Sequence, residues 1–506
     1  MGGKHILFAT SEAYPLIKTG GLADVSGSLP AALKALRRDV RIIMPAYRKA
    51  VEKAGALAAV AELSLPGFPN PVRLLEGELP GTRVPVWLVD SPAHFDRDGG
   101  PYADRQGVEW TDNAARFTVF SRAVEAVALD RAGIDWRPDI VHCNDWQSGL
   151  VPALLSTAAS RPATVFTIHN LAYQGLFPYH VFEQLGLPAG LWSMHGLEFH
   201  GQASFIKGGI AYADMINTVS PNYAREICTP EFGCGLEMLL QHRADYLVGI
   251  LNGADYSEWN PARDRAIART YNAHTLQHKA VNKAALQRAF SLPARPDVPL
   301  LSLVGRLVEQ KGFDLVLDAL PELMREELQI VILGSGEKTL EARLRIAVDS
   351  YPRHIGARIG YDESLAHQIE AGADIFVMPS RYEPCGLNQI YSLRYGTVPL
   401  VRRTGGLANT VIDATETTLQ NGTATGFVFD AATPADLTSA VERALACYRQ
   451  PRVWRRLVFM GMQQDFSWRQ SAHHYVELYQ RANAVAESSG ASTGTSTDTS
   501  TDTSIG

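Results

Sequence analysis

Short apolar segments alternate with helical segments along this chain, and this alternation constrains the fold more than any other feature. In the first half of the chain the apolar segments cover residues 5–9, 40–44, 85–89, 140–143, 164–168 and 215–218. In the second half they cover residues 300–304, 329–333, 357–359, 375–378 and 398–401. Apolar strands that are separated by helices are typical of parallel sheets covered by helices on both faces. The pattern therefore predicts an α/β protein with two doubly wound domains in succession.

The boundary between these domains is marked by a stretch that contains three prolines, from Leu292 to Pro299. A chain of 506 residues is too long for one compact core, and two large domains suit an α/β architecture. We expect the boundary to lie between about residues 247 and 299. The last twenty residues, 487–506, are rich in Ser, Thr and Gly and have only Ile505 as a bulky apolar side chain, which predicts a disordered tail.

Composition and charge exclude several classes of function. The net charge of −6 argues against a dedicated nucleic-acid-binding protein. The five cysteines form no C-x-x-C pair, which argues against a structural zinc site and a disulfide framework and favours a reducing compartment. The N-terminus does not have the pattern of a signal peptide, and no apolar run is long enough to span a membrane. We therefore expect a cytoplasmic protein that binds neither nucleic acid nor membrane.

One short motif occurs twice, once in each expected domain. Lys18-Thr-Gly-Gly-Leu-Ala-Asp24 is repeated as Arg403-Thr-Gly-Gly-Leu-Ala-Asn409. Each copy comes between a strand and a helix, where paired glycines allow close approach of a ligand and the helix N-terminus favours an anion. One copy alone would be an ordinary strand–helix turn. Two copies predict two loops that face one anionic ligand, although chance similarity between unrelated turns remains an alternative.

Charged residues follow two strands of the second domain. Arg306 and Lys311 come after the strand at 300–304, where open parallel sheets bind ligands, and together with Gly405 and Gly406 they could clamp a diphosphate without a metal ion. Glu383 follows the strand at 375–378 and could contact a sugar or stabilise positive charge at a sugar carbon. Alternatively, Glu383 is an acidic residue at the N-terminus of a helix, and the following proline occupies the first helical position.

Cys385 lies two residues after Glu383. It could be a nucleophile, but no partner base is recognisable in the sequence. A small packed residue close to the ligand is therefore the better interpretation.

Polar residues also follow two strands of the first domain. Asp145 comes after the strand at 140–143, and His169 and Asn170 come after the strand at 164–168. These strand ends lie on the same predicted sheet edge as Lys18. Residues of this kind often only cap turns, and here the functional and structural interpretations are about equally supported.

Other nucleotide and metal motifs are weak or missing. Asp96-Arg-Asp98 resembles a metal–nucleotide pattern but lies in a polar loop, and we interpret it as solvent-exposed. Gly334-Ser-Gly336 lacks the third glycine of a dinucleotide-binding loop, and there is no P-loop sequence. The histidines have no metal-ligand spacing, so no metal or other cofactor is expected.

Taken together, these segments resemble bacterial glycogen synthases and the related plant starch synthases. The resemblance covers about residues 5 to 470 and includes these segments: Ser11-Glu-Ala-Tyr-Pro, Lys18-Thr-Gly-Gly-Leu-Ala-Asp, Asn144-Asp-Trp, Thr167-Ile-His-Asn-Leu-Ala-Tyr-Gln, Lys207-Gly-Gly-Ile, Asn252-Gly, Gly305-Arg-Leu, Lys311-Gly, Glu383-Pro-Cys-Gly-Leu and Thr404-Gly-Gly-Leu. The combination of the Lys18 and Glu383 segments is highly specific to this family.

The resemblance implies a glycosyltransferase of the GT-B fold, with two Rossmann-like doubly wound domains that face a cleft. The implied domains are residues 1–247 on the glucan acceptor side and residues 248–465 on the nucleotide-sugar side. A helix at 466–486 would return to the N-terminal domain. The implied reaction is transfer of glucose from ADP-glucose to the non-reducing end of an α-1,4-glucan, as in glycogen elongation, with retention of the anomeric configuration.

The resemblance also implies roles for individual residues. Arg306 and Lys311 would bind the diphosphate, Glu383 would contact the donor glucose, and Lys18 would reach the donor from the other domain. Asp145 and His169 would lie near the reacting carbon. The remaining implied substrate-binding residues are Gly20, Gly21, Tyr102, Asn170, Asn252, Cys385, Gly386, Leu387, Thr404, Gly405 and Gly406.

Two departures from the family pattern and several open questions remain. Asn409 occupies a position that is often Asp in the family, and Tyr391 occupies a position that is Glu in many related transferases but not in the glycogen and starch synthase branch. A transferase of the same fold that uses UDP-glucose or another acceptor is the nearest alternative, and a non-catalytic glucan-binding protein is a more distant one. The sequence does not decide the donor base, the preferred glucan length, allosteric control, the role of the tail, or whether the protein forms a homo-oligomer.

Overall fold

A computed structural model describes residues 4–493 of the chain, with side chains through residue 488. These residues form two compact units. Unit 1 contains the described residues up to Val219, Ala224–Ile250 and the described residues from Trp468 onward, whereas unit 2 contains Ser220–Tyr223 and Leu251–Ser467. The chain thus passes into unit 2 after Ile250, a few residues later than the expected boundary after residue 247. The short excursion of Ser220–Tyr223 into unit 2 was not predicted.

Unit 1 is built around a large, mostly parallel sheet. The strands of unit 1 are β1 (His5–Ala9), β2 (Asp39–Pro45), β3 (Ala58–Leu63), β4 (Val72–Glu78), β5 (Pro85–Asp90), β6 (Ile140–Asn144), β7 (Ala163–Ile168), β8 (Leu176–Pro178), β9 (Glu198–Phe199), β10 (Gln202–Ser204), β11 (Met215–Thr218) and β12 (Leu247–Gly249). The main sheet has nine strands in the order β12-β11-β7-β6-β1-β2-β5-β4-β3, and β8, β10 and β9 form a small separate sheet. In the main sheet β4 pairs antiparallel with both of its neighbours, β3 and β5, and the other described strand pairs are parallel.

The predicted strands of unit 1 are confirmed, but the two edge strands of the main sheet, β3 and β12, and the strand β4 next to β3 were missed. The reason is visible in β3, where most residues are exposed, so that it lacks the apolar run typical of the central strands. The central strands β6 and β7 are instead buried at every position. This agrees with a parallel sheet that is covered on both faces.

Helices connect these strands. The helices of unit 1 before the crossing to unit 2 are α1 (Gly21–Ala35), α2 (Arg48–Lys53), α3 (Pro92–Phe95), α4 (Asn113–Ala128), α5 (Leu150–Leu155), α6 (Tyr179–Gln184), α7 (Phe205–Tyr212), α8 (Pro221–Glu226, whose first residues belong to unit 2) and α9 (Glu237–His242). Helix α1 begins at Gly21, and its buried residues Leu22, Val25 and Leu29 follow the helical spacing.

Unit 2 has a fully parallel sheet with helices between its strands. Its strands are β13 (Leu300–Val304), β14 (Gln329–Gly334), β15 (Ile355–Ile359), β16 (Ile375–Met378), β17 (Val398–Arg402) and β18 (Phe427–Phe429). Its helices are α10 (Lys279–Ala289), α11 (Phe313–Leu323), α12 (Lys338–Ser350), α13 (Glu363–Gly372), α14 (Asn388–Tyr395), α15 (Gly405–Thr410), α16 (Glu416–Asn421), α17 (Pro434–Tyr448) and α18 (Pro451–Met462).

The strand order in unit 2 is β15-β14-β13-β16-β17-β18. This is the 3-2-1-4-5-6 order of Rossmann-type doubly wound sheets. In such sheets a ligand binds beyond the carboxyl ends of the strands where the order reverses, which here is between β13 and β16. The fold therefore directs attention to the loops that follow β13 and β16.

The last helix, α19 (Trp468–Thr493), belongs to unit 1, where it packs against α1 and β7. The tail prediction needs correction at its start, because the helix continues through residues 487–493 instead of ending at residue 486. Residues 494–506 of the predicted tail lie outside the described residues. Among the described residues, no helix combines the length and the apolar character needed to cross a membrane.

Candidate active site

In unit 2, three consecutive strand ends carry the residues that the sequence singles out. Arg306 and Lys311 follow β13, Glu383 follows β16, and the Thr404–Gly406 stretch follows β17. Because β13, β16 and β17 are neighbours in the sheet, their loops meet at one edge, at the reversal of strand order. The predicted grouping of these residues around one edge of unit 2 is thus present in the fold.

Lys311 and Glu383 form the central ion pair of this edge. The Lys311 Nζ donates to Glu383 Oε2 at 2.5 Å, and Ser380 Oγ donates to the same oxygen at 3.0 Å. The Glu383 side chain is only 8% exposed, while that of Lys311 is 23% exposed. A buried carboxylate therefore lies beside a cation that solvent and ligands can still reach. The Arg306 residue, on the same loop as Lys311, is exposed.

The loop that holds Lys311 depends on the next residue, Gly312. Its φ of +70° lies in the left-handed region, and a Cβ atom there would lie 2.1 Å from the carbonyl oxygen of Pro379. Only glycine avoids both the strain and the clash. The Lys311 loop is in this way packed directly against the strand end that leads to Glu383.

The alternative interpretation of Glu383 as a helix-start acid is wrong. The helix after Glu383 is α14, and it begins at Asn388 rather than at Pro384. The Glu383 carboxylate is therefore not in the first turn of a helix. Its buried position beside Lys311 needs another explanation, and contact with a ligand provides one.

Cys385 and Asn252 lie next to Glu383 in unit 2. The Cys385 side chain is buried, and this burial raises the pKa of its thiol to about 12, which agrees with a packed residue rather than a nucleophile. The backbone of Asn252 donates a hydrogen bond to the Cys385 sulfur. The side-chain oxygen of Asn252 is buried and has no hydrogen-bond donor among the described residues. A buried acceptor of this kind suits a ligand hydroxyl group.

The residues after Cys385 shape the same loop. Gly386 has a φ of +71°, and Leu387 packs beside Ile390 and Tyr391. Tyr391, one of the departures from the broader transferase pattern, is buried and stacks on Trp259 with ring centroids 4.0 Å apart. This position therefore supports the loop by aromatic packing.

The two copies of the glycine motif differ in what surrounds them. In the unit 1 copy, Gly20 and Gly21 have open space where a Cβ atom would be. In the unit 2 copy, a Cβ atom on Gly405 would lie 1.8 Å from the carbonyl oxygen of Glu383, and one on Gly406 would lie 2.1 Å from that of Cys385. The unit 2 glycines thus allow α15 to pack against the Glu383–Cys385 backbone. The idea that both glycine pairs have the same purpose, close approach of a ligand, needs correction for this copy.

This difference predicts unequal effects of alanine. Gly405→Ala should lower the melting temperature markedly and disturb Glu383, because φ is +44° and the new methyl group would overlap backbone atoms that cannot rotate away. Gly20→Ala should leave the melting temperature almost unchanged, since its backbone is extended and no atom is near. Thermal unfolding of the two variants compares them directly. Equal melting temperatures would contradict this account of the unit 2 motif.

In unit 1, the loop after β1 surrounds a buried carboxylate, Glu12, that the sequence analysis did not select. Its oxygens accept hydrogen bonds from the backbone and the hydroxyl of Thr19, and from Tyr102 Oη at 2.5 Å. Burial raises the pKa of Glu12, although these hydrogen bonds oppose the shift. Tyr102 also bonds Ser11 Oγ at 2.7 Å. The position of Glu12 directly beyond the first strand of a parallel sheet is the signal that could have identified it.

Asp145 and His169 are brought together as predicted. The Asp145 side chain accepts a hydrogen bond from the backbone of His169 at 2.7 Å, and the His169 ring is 3.0 Å from Asn144 Oδ1. Burial raises the pKa of Asp145 to about 7, although bonds from the backbones of His169 and Asn170 oppose the shift. Desolvation lowers the pKa of His169, so that the ring is neutral at neutral pH. The side chain of Asn170 accepts a bond from the backbone of Ala172 and thus holds its own turn.

Asp145 also has an unusual backbone, with φ of 56° and ψ of −179°. A residue other than glycine adopts this conformation only at a cost of about 1–3 kcal/mol, and such strain is concentrated at functional sites. The strain and the raised pKa both disfavour Asp145 as a purely structural residue. The two observations together favour its functional interpretation.

The raised pKa predicts a pH-dependent effect of Asp145→Asn on stability. Between the ordinary pKa of 3.8 and about 7, the unfolded chain releases the proton while the folded chain keeps it, so the wild type loses stability as pH rises through this window. The variant lacks this loss. Its free energy of unfolding relative to wild type should therefore increase with pH, by at most about 1.4 kcal/mol per pH unit, and level off above the window.

Urea unfolding near pH 5 and near pH 8 would measure this difference. Asp135→Asn, a change at an exposed aspartate of the same unit, is the matched control for removal of one carboxylate. A stability difference between Asp145→Asn and wild type that is the same at both pH values would contradict the raised pKa.

The interpretation of Asp96 and Asp98 as a solvent-exposed loop is confirmed. Each carboxylate is at least half exposed, and each pairs with an arginine, Arg48 and Arg105 respectively.

Comparisons with known proteins identify the family to which both halves of the chain belong. The family "Starch synthase catalytic domain" matches residues 5–242, and the family "Glycosyl transferases group 1" matches residues 287–456. The chain is 61% identical over 478 residues to a glycogen synthase of Thioalkalivibrio sulfidiphilus, covering 94% of this chain and 99% of that protein. It is 56% identical over 476 residues to glycogen synthase 2 of Nitrosococcus oceani, covering 94% and 97%.

A solved structure is similar over nearly the whole chain. The catalytic domain of starch synthase IV from Arabidopsis thaliana, bound to ADP and acarbose, superposes with a TM-score of 0.85 at 33% identity. The match covers 96% of this chain and 100% of that one.

Proposed function

This chain belongs to the glycogen and starch synthase family of GT-B glycosyltransferases, and we propose that it transfers glucose from ADP-glucose to the non-reducing end of an α-1,4-glucan with retention of the anomeric configuration. The observation that supports this most directly is the Lys311–Glu383 pair at the reversal of strand order in unit 2. In this proposal the accessible lysine binds the diphosphate, and the buried carboxylate beside it contacts the sugar. The solved starch synthase IV domain is bound to ADP and acarbose.

The proposed reaction breaks the bond between glucose C1 and the β-phosphate oxygen, and negative charge develops on the departing ADP. Arg306 and Lys311 would stabilise that charge, and fixed charges aimed at the place where charge develops are the strongest contributors to catalysis. Glu383 would stabilise the positive charge that develops at the sugar carbon. Asn252 would accept a hydrogen bond from a donor sugar hydroxyl.

In unit 1, we propose that Asp145 and His169 act near the reacting carbon. Nε2 of the neutral His169 ring donates to Asn144 Oδ1, so its other ring nitrogen can accept a hydrogen bond from a sugar hydroxyl, and Asp145 holds the backbone of His169 in place. When the new glycosidic bond forms, the acceptor hydroxyl gives its proton to the β-phosphate oxygen of the departing ADP. We further propose that two protein cations perform the role of a divalent ion, so that no metal is required for transfer, and that the reaction takes place in the cytoplasm.

Purified protein, radiolabelled nucleotide sugars and glycogen would test this proposal. ADP-glucose should label glycogen at least tenfold faster than UDP-glucose or GDP-glucose at equal concentration, and excess EDTA should not reduce the rate. Release of the label by β-amylase, which removes maltose from non-reducing ends of α-1,4-glucans, would show the position and the linkage. Preference for UDP-glucose would overturn the donor assignment, and loss of activity in EDTA that magnesium restores would overturn metal independence.

Lys18 allows a separate prediction, because its Nζ pairs at 2.7 Å with Asp24, in the first turn of the following helix α1. If Lys18 contacts the donor, Lys18→Ala should lower turnover by about tenfold or more, whereas Asp24→Asn should change it little. If the lysine only holds its loop, both variants should lose stability and keep turnover while folded. Steady-state rates and melting temperatures of the two variants separate these outcomes.

A further inference from the structure

Three metal-binding side chains of unit 2 lie together outside the site described above. Glu258, Glu363 and His367 each offer a ligand atom, and these atoms all lie within 4.8 Å of one another. Glu363 is the first residue of α13 and His367 follows one turn later, so both project from the same face of the helix. Glu258 comes from the segment before Trp259. The linear spacing of these residues is too irregular for sequence analysis to recognise.

The histidine of this cluster is held firmly in one orientation. Its Nδ1 is 2.8 Å from Asp264 Oδ2, and the Trp259 ring stacks on the imidazole with centroids 3.8 Å apart. Asp264 is buried, and the same carboxylate oxygen also accepts a hydrogen bond from Tyr395 Oη at 2.6 Å. The Nδ1 of His367 therefore carries the proton. A carboxylate bonded to one ring nitrogen is the usual arrangement behind a histidine that ligates a metal through the other.

The other nitrogen of the same ring is available. Within residues 4–488, whose side chains the structure describes, no hydrogen bond reaches Nε2 of His367, although the residue is only 6% exposed. An imidazole nitrogen that makes no hydrogen bond within the protein is available to ligate a metal ion. The two glutamates beside it are partly exposed, so an ion could enter from solvent.

We propose that Glu258, Glu363 and His367 bind one divalent transition-metal ion, with water completing its coordination. One imidazole nitrogen and two carboxylate oxygens suit ions such as Zn²⁺, whereas Mg²⁺ and Ca²⁺ prefer oxygen ligands alone. Ligand atoms of a tetrahedral zinc ion lie about 3.3 Å apart, from the usual bond lengths of about 2.0–2.1 Å. Because the ligand atoms lie within 4.8 Å of one another, they need to approach by at most about 1.5 Å, through rotation of the glutamate side chains while His367 stays fixed.

The site joins two parts of unit 2. Its metal would connect the segment around Glu258 to α13 and would hold Trp259 against His367 and Tyr391. The fluorescence emission of Trp259 should therefore change when an ion binds. The site is separate from the residues proposed to act on the donor, so metal binding and metal-independent transfer are compatible.

The full-length protein, treated with EDTA and then freed of it, would be titrated with Zn²⁺ by calorimetry and by tryptophan fluorescence. We expect one ion per chain at this site, a change in Trp259 emission and a higher melting temperature, since binding to the folded state alone stabilises it. Glu258→Gln and Glu363→Gln should each weaken zinc binding by about tenfold or more. Glu416→Gln, which changes an exposed first residue of another helix of unit 2, is the matched control and should bind zinc like wild type.

His367→Gln is less decisive because it also disturbs Asp264 and Tyr395, so the glutamate variants carry the test. Equal zinc affinity in wild type, Glu258→Gln and Glu363→Gln would overturn the proposal, as would binding of Mg²⁺ as tightly as Zn²⁺. The titration uses no nucleotide sugar and the transfer assay is run in EDTA. Failure of this proposal and failure of the proposed function are therefore distinguishable.

Discussion

Lys311→Ala is expected to slow glucosyl transfer by about a hundredfold or more, which corresponds to about 2.7 kcal/mol of lost transition-state stabilisation. The lysine lies at the reversal of strand order, and its side chain remains 23% exposed even though it pairs with Glu383. It can therefore meet a diphosphate where negative charge develops. Arg306→Ala, which removes the exposed arginine of the same loop, should have a comparable effect.

A binding measurement would separate this role from a structural one. If Lys311 contacts the diphosphate, Lys311→Ala should weaken inhibition by ADP much more than inhibition by AMP, which lacks the β-phosphate. Lys338→Ala is a close control, because Lys338 also pairs with a buried glutamate of unit 2, Glu341, at 3.0 Å. The control should keep both the turnover and the preference for ADP.

Two results would contradict the diphosphate assignment. One is an unchanged ratio of ADP to AMP inhibition in Lys311→Ala. The other is full turnover by the variant below its unfolding temperature. Either would make Lys311 only the structural partner of Glu383.

The central strands could be predicted from the sequence because burial on both faces produces unbroken apolar runs. β1, β11, β13 and β16 were predicted with the ends that the structure shows. β3 was missed because a mostly exposed edge strand carries no such run. Helix α19 runs beyond its predicted end, since a composition poor in apolar residues does not prevent a helix from continuing past its packed part.

The grouping of Arg306, Lys311 and Glu383 could be predicted because the carboxyl ends of neighbouring parallel strands meet at one edge. The contacts of each side chain could not be predicted, because they depend on how the loops pack. The motif with Gly405 and Gly406 is similar in sequence to the motif with Gly20 and Gly21, yet only the glycines of the former are packed against protein backbone. The burial of Glu12 and the strain at Asp145 arise from loops whose conformation is not encoded in a linear pattern.

Glu383→Gln should lower turnover by about a hundredfold or more while changing inhibition by ADP only a few-fold. Glutamine keeps the shape of the side chain but removes its charge. The carboxylate is buried, and solvent therefore screens it little from positive charge that develops at a sugar carbon. An interaction that forms mainly in the transition state affects turnover rather than ground-state binding.

The structure offers a matched control for this change as well. Glu341 is a second buried glutamate of unit 2 that pairs with a lysine and also accepts a hydrogen bond from a backbone amide, that of Gly336. Glu341→Gln should lower stability in the same way but leave turnover intact. Comparison at a temperature where both variants are folded removes the contribution of the broken ion pair.

The double variant of Lys311→Ala and Glu383→Gln would show whether the two residues act on one event. Independent effects would multiply, whereas residues that stabilise the two ends of the same breaking bond should be strongly non-additive. If Glu383 only holds Lys311 in place, Glu383→Gln should weaken ADP inhibition as much as Lys311→Ala does. Equal small changes in turnover and ADP inhibition would assign Glu383 a structural role, and the buried carboxylate would then stabilise the loop rather than the transition state.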